Sequence, residues 1–260
     1  MASFMNTVLA RLGGGLPSVG ALTPRTAVRR AITDAIDPFL RVQGFERFIA
    51  GRSLRVCEKW TDVIEVQFIK AAGMPANSPS MHIGRYLHFV PEDAISGPMP
   101  QKNGRPCPTV ERCHLRKTLF KSTRQRETAS PNIWFIDGRA DYLDACVTEL
   151  RAATEQEIIP WFGRLDQWDT LLDLFMSGQP DIEGQLADRV MRGTWNFSNY
   201  FSRHVAAGFV ALESGHRATA ANLFGTVLHD GGVVGKDGRV FPLPPATMDL
   251  IREAVASAQR

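Results

Sequence analysis

Cysteine is scarce in this chain. Four thiols in 260 residues, Cys57, Cys107, Cys113 and Cys146, fall far short of the dense frameworks that staple small secreted domains, so reduced thiols in a cytosolic compartment are expected. No run of about eighteen apolar residues occurs, which leaves no candidate for a membrane-spanning helix and argues against a membrane partner. A serine nucleophile elbow, a phosphate loop and a metalloprotease helix are also missing. The run Gly231-Gly232-Val233-Val234-Gly235-Lys236 lacks the spacing and the Ser/Thr of a phosphate loop and reads as a turn. No catalytic residue and no cofactor are expected from these patterns. Charge of either sign is nearly balanced: a net charge of +3 and a pI near 8.8 are too mild to argue by themselves for nucleic acid or an anionic surface.

Acidic residues are absent from Met1 to Thr33, which carries Arg11, Arg25, Arg29 and Arg30 and the run Gly13-Gly14-Gly15-Leu16-Pro17. That composition fits a flexible leader over residues 1–23, or an organellar presequence. Thr23-Pro24 then offers a cap and a first-turn proline, and Val28, Ala31, Ile32, Ala35, Ile36, Phe39 and Leu40 recur at helical spacing. Pro38 predicts a kink or a restart capped by Asp37, and Gly44 a left-handed C-cap. Past Gly44-Phe45 the period switches to alternation. Strands are predicted over Ser53 to Trp60, Val63 to Lys70, Met81 to Val90, Arg112 to Phe120 and Asn132 to Ile136, with short connections that favour antiparallel pairing. The segment Pro91 to Pro108 is rich in Pro and Gly and predicts irregular structure.

From Tyr142 onward the pattern is helical. One helix ends near Pro160-Trp161-Phe162 and another spans Gln167 to Met176 with Asp166 as its cap. Further segments lie near Ile182 to Met191, Asn196 to Leu212, Ala218 to Leu228 and Thr247 to Ala258, with a possible strand over Gly238 to Leu243. Trp161, Phe162, Trp168, Phe175, Trp195, Phe197 and Tyr200 read as core between helices. Around Tyr200 to Gly232, Ala207-Gly208, the turn Ser214-Gly215, Ala220, Phe224 and Val227 resemble one tetratricopeptide-type helical hairpin; a single copy does not make a repeat array. The fold class expected is α+β: an N-terminal helix on an antiparallel sheet over residues 24–165, then a helical extension over 166–260.

The densest cluster of polar chemistry is Arg112-Cys113-His114-Leu115-Arg116-Lys117. In a strand, period two puts Arg112, His114 and Arg116 on one face, and Lys121, Arg124 and Arg126 continue the positive charge. A phosphate-bearing or acidic partner could use such a row, but a solvated sheet face followed by a basic loop accounts for it better and needs no ligand. Cys107 and Cys113-His114 are spaced too far apart for a zinc knuckle, and His82, Tyr86 and His88 alternate in a way that faces solvent, so no metal is expected. Cys113 beside His114 is wrongly arranged for a nucleophile and its base, which leaves Cys113 as core.

Pro38-Phe39-Leu40 with Gly44-Phe45, the strand Val63-Ile64-Glu65-Val66-Gln67-Phe68, Cys113-His114-Leu115-Arg116, and Ile133-Trp134-Phe135 ahead of a helix ending in Pro160-Trp161-Phe162 together resemble the family called domain of unknown function 4304, over roughly the first 165 residues. The resemblance implies a helix-plus-sheet fold in a soluble bacterial protein and no activity. The leading functional expectation is therefore a non-enzymatic protein-binding module using the basic row or the C-terminal hairpin. An anion or nucleic-acid binder using Arg112 to Arg126 comes second, and an unrecognised hydrolase third.

Overall fold

The structure is a computed structural model that describes residues 23–49, 51–68, 77–91, 98–119, 133–136, 140–177, 203–234 and 239–258. Helix α1 (Arg25–Val42) buries Val28, Ile32, Ile36 and Leu40, a strict four-residue stripe. Pro24 occupies the N-cap itself, and its carbonyl accepts the Ala27 and Val28 amides. Neither the predicted restart nor a cap by Asp37 is needed. The helix continues through Pro38, because Pro38 and Asp34 both face solvent, where water can satisfy the Asp34 carbonyl that proline leaves unpaired. Asp37 is drawn instead into an ion pair with Arg47. The C-terminus closes as expected: Gly44 has φ 81°, its amide donates to Arg41, and the Phe45 amide donates to Leu40, the double hydrogen bond of a Schellman motif.

Phe45 delivers the chain into a five-stranded antiparallel sheet in the order β1 (Glu46–Ile49), β2 (Arg52–Val56), β3 (Trp60–Phe68), β4 (Pro79–Leu87) and β7 (Leu115–Thr118). All nine residues of β4 are buried. Alternation divides them: Met81, Ile83 and Leu87 join the main core under the helices, whereas Tyr86 joins a smaller cluster with Leu54, Val63, Cys107, Val110 and Cys113 on the opposite face. The segment 98–114 forms that second cover. The stretch to Pro108 is expected to be irregular, yet Gln101–Lys102 (β5) and Arg105–Pro106 (β6) pair across Asn103-Gly104, both at positive φ (53° and 74°). An Asn-Gly pair is the standard sequence signal for a two-residue type I′ turn, and it outweighed the surrounding prolines.

The predicted strand at Asn132 to Ile136 does not form over the described residues 133–136. The Trp134 amide donates to the Pro79 carbonyl and the Ile136 amide to Ser78 Oγ, so the segment is tied to the start of β4 without a ladder. Helix α2 (Ala140–Ala153) passes through a π-helical turn, Thr154–Ile158, into α3 (Ile159–Arg164). Pro160 lacks the amide that would bond four residues back, and a local change of register is a common response to such a gap.

Among the described residues that follow are the helices α4 (Trp168–Ser177), α5 (Arg203–Glu213), α6 (Arg217–Asp230) and α7 (Pro245–Ala258). Between the last two, β8 (Val233–Val234) pairs with β9 (Val240–Phe241), which fulfils the expectation of a strand there. The segment predicted near Ile182 to Met191 and the aromatics Trp195, Phe197 and Tyr200 lie outside the described residues. One apolar cluster runs from Val28 through Trp134 and Phe162 to Phe224 and Ile251. The expected boundary near residue 165 therefore cuts through a shared core.

Candidate functional site

The predicted basic row is not formed as a strand face. Arg112 closes a 3₁₀ turn, Val110–Arg112, and the strand begins only at Leu115. His114 and Arg116 do share the face turned away from the helices, but His114 is buried at 5% exposure and Arg116 is half-buried. The reason lies in the hydrogen bonds that seat His114: its amide donates to the Arg85 carbonyl at 2.8 Å, its Nδ1 accepts the Leu87 amide at 2.9 Å, and its ring lies 5.0 Å from Tyr86. The imidazole extends the β4–β7 ladder by one rung. Lys117, on the helix-facing side, is paired with Glu157 at 2.6 Å. Lys121, Arg124 and Arg126 lie outside the described residues.

His82 and Tyr86, expected to face solvent, are buried by the 98–114 cover at 8% and 7% exposure; His88 alone of the three is exposed. His82 Nδ1 is 2.8 Å from Thr118 Oγ1. Cys113 is wholly buried against Gly84, where an added Cβ would meet the Cys113 Cβ at 2.6 Å. Among the described residues no group of three His, Cys, Asp or Glu side chains is placed to hold a metal ion. Burial pushes the Cys113 and Cys146 thiols well up, and that of half-exposed Cys57 up as well. A thiol with a raised pKa holds little thiolate at neutral pH. With iodoacetamide at pH 7.5, Cys57 should therefore be the first residue modified in the folded protein and should react several-fold more slowly than a free thiol, while Cys107, Cys113 and Cys146 react only after denaturant is added. Peptide mapping reads each site; early labelling of Cys113 would refute the ordering.

The most highly organised polar site is one that the sequence reading passed over. Register aligns Arg55, Asp62 and Arg85 across β2, β3 and β4 on the helix-facing side. Asp62 and Arg85 are completely buried. Asp62 Oδ1 accepts Arg85 Nε at 2.7 Å, and Oδ2 accepts Arg55 Nε at 2.9 Å, Arg55 Nη2 at 2.6 Å and Arg85 Nη2 at 3.2 Å. Arg85 Nη2 also reaches the Phe162 carbonyl at 3.2 Å and Asp166 at 2.8 Å. Asp166, expected as a helix cap, thus has its carboxylate engaged by Arg85. The Arg85 guanidinium lies 4.5 Å from the Trp60 ring centroid, and that of Arg55 lies 5.0 Å from Phe45, contacts that recover part of the cost of desolvating a cation.

Two arginines and two aspartates leave this seam neutral. Four N–H donors from two guanidiniums engage Asp62, three at Oδ2 and one at Oδ1, and with no exposure to solvent it is not placed to take a proton from a substrate while the seam is closed. What the arrangement can do is clamp the sheet to the α3–α4 junction. Its signal was present in the sequence as a charge at apolar parity, in Asp62-x-Ile64-x-Val66 and Ile83-x-Arg85-x-Leu87.

Neither a scan against protein-family models nor searches of curated proteins and of solved structures finds a match to this chain.

A second organised feature is the α5–α6 hairpin. Gly215, at φ 84°, turns the chain between the two helices. Twelve residues separate Gly208 from Ala220, both in the helix contact, and the Phe224 ring sits where a Gly208 Cβ would be: that atom would lie 2.4 Å from Phe224 Cε1. Phe209 meets the same ring edge-on at 4.9 Å. The small and aromatic positions read from the sequence as hairpin-like are thus the ones that interlock. Lys59 with Glu213 at 2.7 Å, Trp60 with Trp168 at 6.1 Å and Asp169 with His216 at 3.1 Å hold this layer against the sheet and α4.

Proposed function

We propose that this is a non-enzymatic protein-binding module, in which the sheet domain serves as a base for a C-terminal helical platform. The observation that carries this reading is the interlocked α5–α6 hairpin, against which α7 packs in turn. Helical pairs of this shape present side chains from rigid elements. Beside the hairpin, β9 and α7 leave Val240, Phe241 and Leu250 about half exposed, and apolar side chains next to a rigid helical layer are suited to an apolar segment of a partner protein. An anion- or nucleic-acid-binding strand face draws less support, since His114 is sequestered and Lys117 is paired.

The test is capture by full-length bait from the native host, compared with Phe241→Asp and, as a surface control, Val42→Asp. Retention of one defined protein by the wild type and the control, with at least a ten-fold loss for Phe241→Asp, is expected. Equal retention by all three baits would overturn the reading. Circular dichroism confirms that each bait is folded.

A further inference from the structure

We propose that the crevice between α1 and strands β1 to β3 binds a small oxyanion, of the phosphate or carboxylate class, through Arg29. The enclosed part of the crevice is about the size of one water molecule, and its polar lining residues are Arg29, Thr33, Asp37, Arg47, Arg52 and Ser53. Two guanidiniums, those of Arg29 and Arg47, lie on the helix side of the sheet here, whereas Arg52 turns to the opposite face and holds Glu65 there through two bonds at 3.1 and 3.0 Å. Arg47 is matched by Asp37. Among the described residues Arg29 is left without a carboxylate. Its guanidinium lies 5.1 Å from the Phe68 ring centroid, and its Nε is buried with no hydrogen-bond partner among the described residues.

Geometry beside that nitrogen is specific. Gly51 adopts φ 86°, and a Cβ there would come within 3.0 Å of the Val66 carbonyl and 3.4 Å of Arg29 Nε. The glycine therefore keeps open the space next to the unpaired donor. Thr33 and Ser53 line the same space, and a hydroxyl can donate to an oxygen. A charge-assisted bond from Arg29 to an anionic oxygen would satisfy the donor and balance the unmatched cation at once. So small an enclosed space admits the tip of an oxyanion and excludes a nucleotide base.

The experiment measures the thermal midpoint of the full chain in inorganic phosphate and in acetate, each against sodium chloride at equal ionic strength. Ligand at about ten times its dissociation constant should raise the midpoint by about 3 °C or more in at least one oxyanion. The rise should vanish in Arg29→Gln, shrink in Arg29→Lys, which keeps the charge and loses the Nε donor, and persist in Arg30→Gln, a solvent-facing neighbour on the same helix. No rise in either oxyanion, or an equal rise in Arg29→Gln, overturns the proposal. Isothermal calorimetry of the same variants gives a second reading should Arg29→Gln lower the starting midpoint.

Discussion

Replacing Asp62 with Ala is expected to destabilise the protein by about 3–5 kcal/mol, among the largest losses a single substitution can produce here. Asp62 is the common acceptor of Arg55 and Arg85, and Arg85 has no exposure to water. Removing the carboxylate leaves a buried guanidinium with only part-exposed Asp166 as its counter-charge, and breaking one side of a buried pair costs far more than the pair contributes in net terms. The same physics makes a second variant informative. Asp62→Leu with Arg85→Met removes both buried charges and should recover most of the loss, because well-packed apolar side chains can replace a buried ion pair at little cost. Urea denaturation of wild type, Asp62→Leu, Arg85→Met and the double variant closes a mutant cycle. A loss below about 1 kcal/mol for Asp62→Ala would show that the seam is not what fastens the sheet to the α3–α4 junction.

Phe224→Ala should cost a similar amount, about 3–5 kcal/mol, since it empties the wholly buried ring site between α5 and α6. Gly208 adds a sharper test. Within an exposed helix, Gly→Ala stabilises by about 1 kcal/mol through propensity alone. At Gly208 the new methyl would strike the ring, so Gly208→Ala should instead destabilise by about 1–3 kcal/mol. In the Phe224→Ala background the obstruction is gone, and Gly208→Ala should turn neutral or favourable. A reversal of sign between the two backgrounds, read from denaturant midpoints, identifies the interlock; additive effects would count against it.

Those two features were not equally legible from the sequence. The hairpin was readable because Gly208, Ala220 and Phe224 keep local, helical spacing, and the turn at Ser214-Gly215 marks itself. Helix α1 and the antiparallel sheet were readable for the same reason: a four-residue stripe and then strict alternation leave few alternatives. The Arg55–Asp62–Arg85 seam depends on which residues register places side by side across three strands, and no local pattern states that register. His114 shows the related difficulty. Its neighbours in sequence are basic and suggested a surface, whereas its partners are Leu87, Arg85 and Tyr86, some 27 to 29 positions away. Strand β1 was overlooked because four residues with a single apolar alternation carry too little signal, and β5–β6 because its Asn-Gly turn was outnumbered by prolines.

The two ends of the sheet carry a consequence of their own. Strand β4 is the best buried, and it lies next to one edge. Yet the edge beyond it, β7, is four residues long, and the opposite edge, β1, is four residues long with an irregular step between Arg47 and Ile49. Short or broken edges are poor templates for another strand. The chain thus keeps its most deeply buried ladder one strand inside a border that offers a passing chain too few successive hydrogen bonds to grip, so its sheet resists growing by addition while its helical side stays open to contact.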